Sequence, residues 1–178
     1  MILKRFYNVS ILALSILLLS FTVPDKLLKK VNKEIKSVFD ITDFQLKLIK
    51  IEDSINNKLP KKIGNDHLFK IESKSKLIGY AYIDKAPSKT DEFDYLILLD
   101  TNLIITKTKV LMYRESYGGE IGSKRWLKQF IGKSSTDILK YEKDIIAISG
   151  ATISAFSMTK AVNLFLLDLN ILHLNKVL

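Results

Sequence analysis

Residues 144–163 read DIIAISGATISAFSMTKAVN, and the architecture of the C-terminal half turns on how this stretch is parsed. Its left half, Ile145 to Ile148, is a short apolar run of mostly β-branched residues, which predicts a buried strand. Its right half opens a long apolar-rich segment and predicts a helix from Thr152 to about Leu172. Between them stand the small residues Ser149, Gly150, Ala151 and Thr152. A chain that turns on a glycine into a helix presents backbone N–H groups with no intrahelical partner, at the positive end of the helix dipole. That arrangement favours a phosphate, and Thr152 would set a hydroxyl beside it. The competing reading makes Ser149 or Thr152 an N-cap whose oxygen accepts a backbone N–H, the commoner role for an arbitrary Ser-Gly-Ala-Thr.

Upstream, Lys124 to Ile131 predicts a short helix with Trp126, Leu127 and Phe130 on one side, closed by Gly132 and Lys133. Trp126 in such a helix is more often core than a ligand-stacking residue. Before it, Arg114 to Gly122 holds three glycines within five residues, which permit left-handed backbone and close approach to a ligand. Further back, Tyr95–Leu99 and Leu103–Tyr113 predict a β-hairpin around Asp100-Thr101-Asn102. His67–Glu72 and Leu77–Asp84 predict another, with Ser73 to Lys76 as a four-residue connection, and Lys85 to Glu92 reads as a loop. Thr42 to Ile51 reads as a half-buried strand and Glu52 to Gly64 as a loop or short irregular helix. Asp25 to Phe39 has apolar residues at spacings of three and four with lysines between, the pattern of an amphipathic helix.

At the N-terminus, Lys4 and Arg5 precede the apolar run Val9–Val23, and Pro24-Asp25-Lys26 ends it. This predicts a signal peptide or signal-anchor over residues 1–24, with the remainder outside the cytoplasm. The chain then divides into a helix-strand lead-in, residues 25–64, and a domain over residues 65–178. The predicted fold class is α+β: a twisted, mainly antiparallel sheet packed with helices, preceded by an N-terminal hydrophobic helix.

The sequence Ser149-Gly150-Ala151-Thr152-Ile153-Ser154, followed by a helix carrying Ala161-Val162-Asn163, resembles the flavinylation motif of the FMN-binding domain family. Members of that family include the membrane-anchored FMN subunits of Rnf and sodium-pumping quinone oxidoreductase complexes. The resemblance implies FMN esterified through its phosphate to Thr152, with Ser149, Gly150, Ala151 and Ser154 shaping the cradle. Glu115-Ser116-Tyr117-Gly118 resembles the family's Glu-x-x-Gly turn, without the Thr-Pro many members carry. It implies Glu115, Tyr117, Gly118 and Gly119 on the ring or ribityl side, with Lys160 offsetting phosphate charge. Leu77 to Ile83 resembles a Gly-Tyr strand of the family, and Ile146 stands where the family often has an acid.

Composition narrows the chemistry. There is no cysteine, which excludes thiolate metal sites, disulfides and a cysteinyl flavin. His67 and His173 are far apart in sequence and have no companion ligand pattern, so neither reads as a metal ligand. The formal charge is +9 with lysines spread along the chain, without any nucleic-acid-binding signature. No catalytic triad or dinucleotide fingerprint is present, which suits an electron relay better than a stand-alone catalyst. The expected function is an extracytoplasmic, membrane-associated electron-transfer flavoprotein. Its expected partners are a flavin transferase and redox proteins in or at the membrane. The alternatives are a noncovalent FMN-binding sensory module and a ligand-free domain on a membrane anchor.

Overall fold

The computed structural model describes residues 24–178. The predicted signal or anchor segment, with its hydrophobic helix, lies outside the described residues. Helix α1, Asp25–Phe39, is followed by strand β1 (Gln45–Leu48), a single turn α2 (Asp53–Asn56), and strands β2 (Leu68–Ser73), β3 (Lys76–Pro87), β4 (Glu92–Leu99) and β5 (Ile105–Met112). Two short turns of 3-10 helix, Gly119–Gly122 and Lys128–Phe130, flank α3 (Lys124–Leu127), and α4 runs Thr152–Leu174. The five strands form one antiparallel meander in the order β1-β2-β3-β4-β5. The expected α+β class with an antiparallel sheet is what the protein has. The lead-in contributes β1 to this sheet, paired with β2.

Each face of the sheet carries a helix. On one, Leu27, Val31 and Ile35 of α1 pack on Ile71, Ala81, Ile83, Leu96, Leu98 and Leu111. On the other, Phe165, Leu166 and Leu169 of α4 pack among Tyr82, Tyr95, Ile97 and Leu99. Coverage on both sides explains why β4 is buried from Phe93 to Leu99 without polar alternation. Phe165 stacks on Tyr82 with ring centroids 3.9 Å apart and 4° between planes, fixing α4 against β3.

Three expectations need correction. Ile145 to Ile148 is no strand: Tyr141 and Ile145 form an isolated bridge, and Ile146 is 70% exposed. The backbone polar groups of Ile146 bond to side chains instead, its N–H donating to Gln129 Oε1 at 2.9 Å and its carbonyl accepting from Trp126 Nε1 at 2.6 Å. Lys85 to Glu92 is only partly a loop, because β3 continues to Pro87 and pairs there with Glu92. The β2–β3 connection has two residues rather than four: Lys74 and Ser75 both take positive φ, 49° and 62°, as a primed hairpin turn needs, and Ser73 pairs with Lys76.

Candidate functional site

The site forms where the end of β5 meets the start of α4. Past Met112 the chain turns through Tyr113 to Gly118, and this turn lies directly on Gly150-Ala151. Gly118 has φ of 77°, and a Cβ there would stand 2.9 Å from the Ala151 Cβ and 3.1 Å from the Gly150 carbonyl oxygen. Only glycine permits both the conformation and the approach. The Tyr113 hydroxyl lies 3.0 Å from Ser154 Oγ, a second tie between the two segments. Ser154 is buried, and Ser157, one turn further along, donates to the Pro87 carbonyl at the end of β3. The two glycine-containing stretches singled out in the sequence are therefore neighbours in space.

Helix α4 begins without a side-chain cap. Its N-cap is Ala151, with φ of −130°, and the N-capping roles open to Ser149 or Thr152 are not taken. The Ala155 N–H bonds to the Ala151 carbonyl, but among the described residues nothing accepts from the amides of Thr152, Ile153 or Ser154. Ser149 and Thr152 are exposed, and their hydroxyls make no hydrogen bond among the described residues. Gly150 is left-handed, φ 80°, with nothing within 4 Å of where its Cβ would be, so there is open space beside the turn. The Tyr141 hydroxyl reaches the Thr152 carbonyl at 3.5 Å, and its ring meets Phe156 edge-on. Asn163 anchors the preceding loop through both amide groups, accepting from the Leu139 N–H at 2.8 Å and donating to its carbonyl at 2.6 Å.

The remaining candidates sort by position. Glu115 Oε1 accepts from the Thr90 amide at 2.7 Å. Hydrogen bonds from the Ser88 side chain and the Thr90 backbone hold its carboxyl below the usual range. Glu115 thus ties its turn to the β3–β4 connection. Tyr117 is 83% exposed and Gly119 opens the 3-10 turn. Lys160 is exposed and lies about 12 Å along the helix from Thr152, so it is not part of the turn. Asp144, two residues before Ile146, accepts from the Lys140 amide at 2.8 Å and closes its own loop.

Three contributors escaped the sequence reading. Tyr113 is a strand-end tyrosine whose partner is 41 residues away, so no local pattern marks it. Trp126 is buried, in keeping with its expected core role, yet with Gln129 it also holds the strap that leads to Ser149. Beside that strap is a cavity of about 760 Å³ bounded by Trp126, Gln129, Ala147, Ile148 and Ser149, with Arg125 and Lys128 among its polar lining.

Residues 89–166 match the FMN-binding domain family. The match runs from the β3–β4 connection into α4 and so takes in both turns of the site. No curated protein matches the chain. FMN binding is thereby supported for this part of the molecule, and its residues suit that ligand. Amides without an acceptor and exposed hydroxyls are at hand for a phosphate, the backbone is open at Gly150, and a largely apolar cavity edged by Arg125, Lys128 and Glu120 adjoins them.

Proposed function

We propose that the protein is an electron-transfer flavoprotein carrying FMN on a phosphoester to Thr152, with its domain held outside the cytoplasm at a membrane. The observation that carries this reading is the exposed Thr152 hydroxyl at the uncapped start of α4, inside the matched family motif. FMN, when bound, supplies the redox chemistry. The chain supplies binding and position. The Thr152, Ile153 and Ser154 amides and the helix dipole offset phosphate charge. Tyr113 and Gly118 fix the neighbouring turn, and Trp126 and Gln129 keep the wall of the cavity in place for the ring.

In forming the ester, Thr152 Oγ1 loses its proton and attacks the flavin-side phosphorus of a phosphoanhydride flavin dinucleotide, whose other nucleotide leaves with the electron pair of the broken P–O bond, so the chain gains the mass of FMN less one water. An ester-linked flavin cannot be lost by dilution outside the cytoplasm, and attachment at the phosphate leaves the ring end unbonded. A flavin transferase would make the bond, and redox proteins in or at the membrane would exchange electrons with the ring. Lys4, Arg5 and the run Val9–Val23 support the membrane tether.

The test is the intact mass of protein co-produced with a flavin transferase and exported. The mass of FMN less one water is expected on the wild type and absent from Thr152→Val. An unmodified wild type under those conditions overturns the covalent reading, and flavin released on denaturation would point instead to the noncovalent sensory module.

A further inference from the structure

The burial of Leu27, Val31 and Ile35 against the sheet fixes the rotation of α1. Lys26, Lys29, Lys33 and Lys36 therefore face outward, and all four are exposed. The acids of the helix do little to neutralise them. Glu34 turns to the strand lysines Lys107 and Lys109, 3.6 Å from each, and Asp25 sits alone in the first turn. Lys30 is occupied with the Leu111 carbonyl. Among the described residues none of the four outward lysines has an ion pair, and they spread over about 15 Å of helix.

The placement of this face is as telling as its charge. The apolar run Val9–Val23 joins α1 through Pro24 alone, so whatever holds that run also holds the start of α1. Pro24, Lys26 and Leu27 line a cavity of about 640 Å³ together with Met112 and Arg114. The next residue, Glu115, opens the turn that packs on the Gly150 segment. The start of α1 and the FMN-binding site thus share one end of the sheet.

We propose that the outward face of α1 is a contact surface for an anionic phospholipid bilayer. Lysines so close to a membrane tether lie within reach of the negative surface potential of such a bilayer, which attracts basic juxtamembrane segments. The contact would keep the site end of the domain near the membrane plane, where membrane-bound redox partners are found. This deepens the proposed function by using its tether, but its test reads lysines and not flavin, so the two can fail separately.

The experiment reconstitutes the full chain into vesicles of phosphatidylcholine alone or mixed with phosphatidylglycerol and follows acylation of individual lysines by peptide mass spectrometry. Lys29, Lys33 and Lys36 should react about fivefold more slowly in the anionic vesicles, and high salt should remove the difference. Exposed Lys58, Lys62 and Lys74 serve as references within the same molecule. In Lys29→Gln/Lys33→Gln/Lys36→Gln, the protection of Lys26 should fall while the flavin-derived mass is retained. Equal reaction in both vesicles, or protection indifferent to lipid charge, overturns the proposal.

Discussion

At the N-terminal end of α4, Ser149 and Thr152 hold out hydroxyls that nothing in the described structure engages, and three amides have no acceptor among the described residues. About four turns further along, the same helix carries Asp168, fully buried, in a group of polar residues bound closely to one another. One Asp168 oxygen accepts from the Lys61 amide at 3.3 Å, and Lys61 extends its ammonium to Asp84. Asp84 also accepts from the Tyr82 hydroxyl at 2.5 Å and lies 3.3 Å from His67 Nδ1. Burial pushes the Asp84 carboxyl up, but the hydrogen bonds from His67, Lys61 and Tyr82 outweigh it and hold the group well below the usual range. The His67 imidazole is raised in return, chiefly by its hydrogen bond to Asp84. At one end of the helix polar groups hold the lead-in to the domain; at the other they stay open to a ligand. Buried polar groups mark structure here, and the exposed ones without partners are where the proposed flavin ester is placed.

Substitutions can break this contrast at either end. The largest effect should come from Asp84→Ala, which leaves the Lys61 charge and the Tyr82 hydroxyl without their acceptor. A loss of about 3–5 kcal/mol in chemical denaturation is expected, and a loss below about 1 kcal/mol would show the cluster to be solvated. Gly118→Ala should cost about 2–3 kcal/mol, from positive φ and from the close contact with Ala151. It should also lower the yield of flavin attachment, because it separates the two turns; unchanged stability and an unchanged flavin-derived mass would count against their contact.

Asp168→Asn sharpens the comparison through pH. Burial pushes the Asp168 carboxyl up to about 7, and one of its oxygens has no hydrogen bond among the described residues. A raised carboxyl contributes stability that is fully present below its unfolded value near 3.8 and is lost as pH rises through about 7. Urea titrations of the wild type should show that loss between acid and mildly alkaline pH, and the Asn variant should lack it. Between acid and pH 8, the stability of the variant relative to the wild type should rise by on the order of 2 kcal/mol. Parallel pH profiles would place Asp168 in contact with water. Thr152→Val should have the smallest effect on folding, within about 0.5 kcal/mol, since its side chain is exposed and caps nothing. A large loss of stability would make Thr152 structural and erase the contrast.

The legible parts of the sequence were those whose signal is local. Apolar spacing of three and four located α1 to the residue, and short apolar runs bounded by turn residues located β2 to β5 with errors only at their ends. The two glycine motifs were legible as a candidate site because each is a short word. Their contact was not, since Tyr113 meets Ser154 and Gly118 meets Ala151 only after the sheet has formed. Ile145 to Ile148 misled because a β-branched apolar run looks alike in a strand and in a strap held by side chains; Trp126 and Gln129, some 20 residues away, decide between them.

By itself the sequence determined the fold class, most helices and strands, the excess of positive charge and the absence of cysteine, and it singled out Thr152 as a candidate, because composition and short-range periodicity act over a few residues. Tertiary structure alone decided where α4 belongs. By length and hydropathy Thr152–Leu174 could cross a membrane, yet 61% of its most apolar window is buried in the domain, with Phe165 stacked on Tyr82. The same packing leaves Thr152 and Ile153 exposed at the start of α4, with no side-chain cap. The physical reason is that burial and hydrogen-bond satisfaction depend on which distant residues arrive alongside, and no spacing along the chain records that.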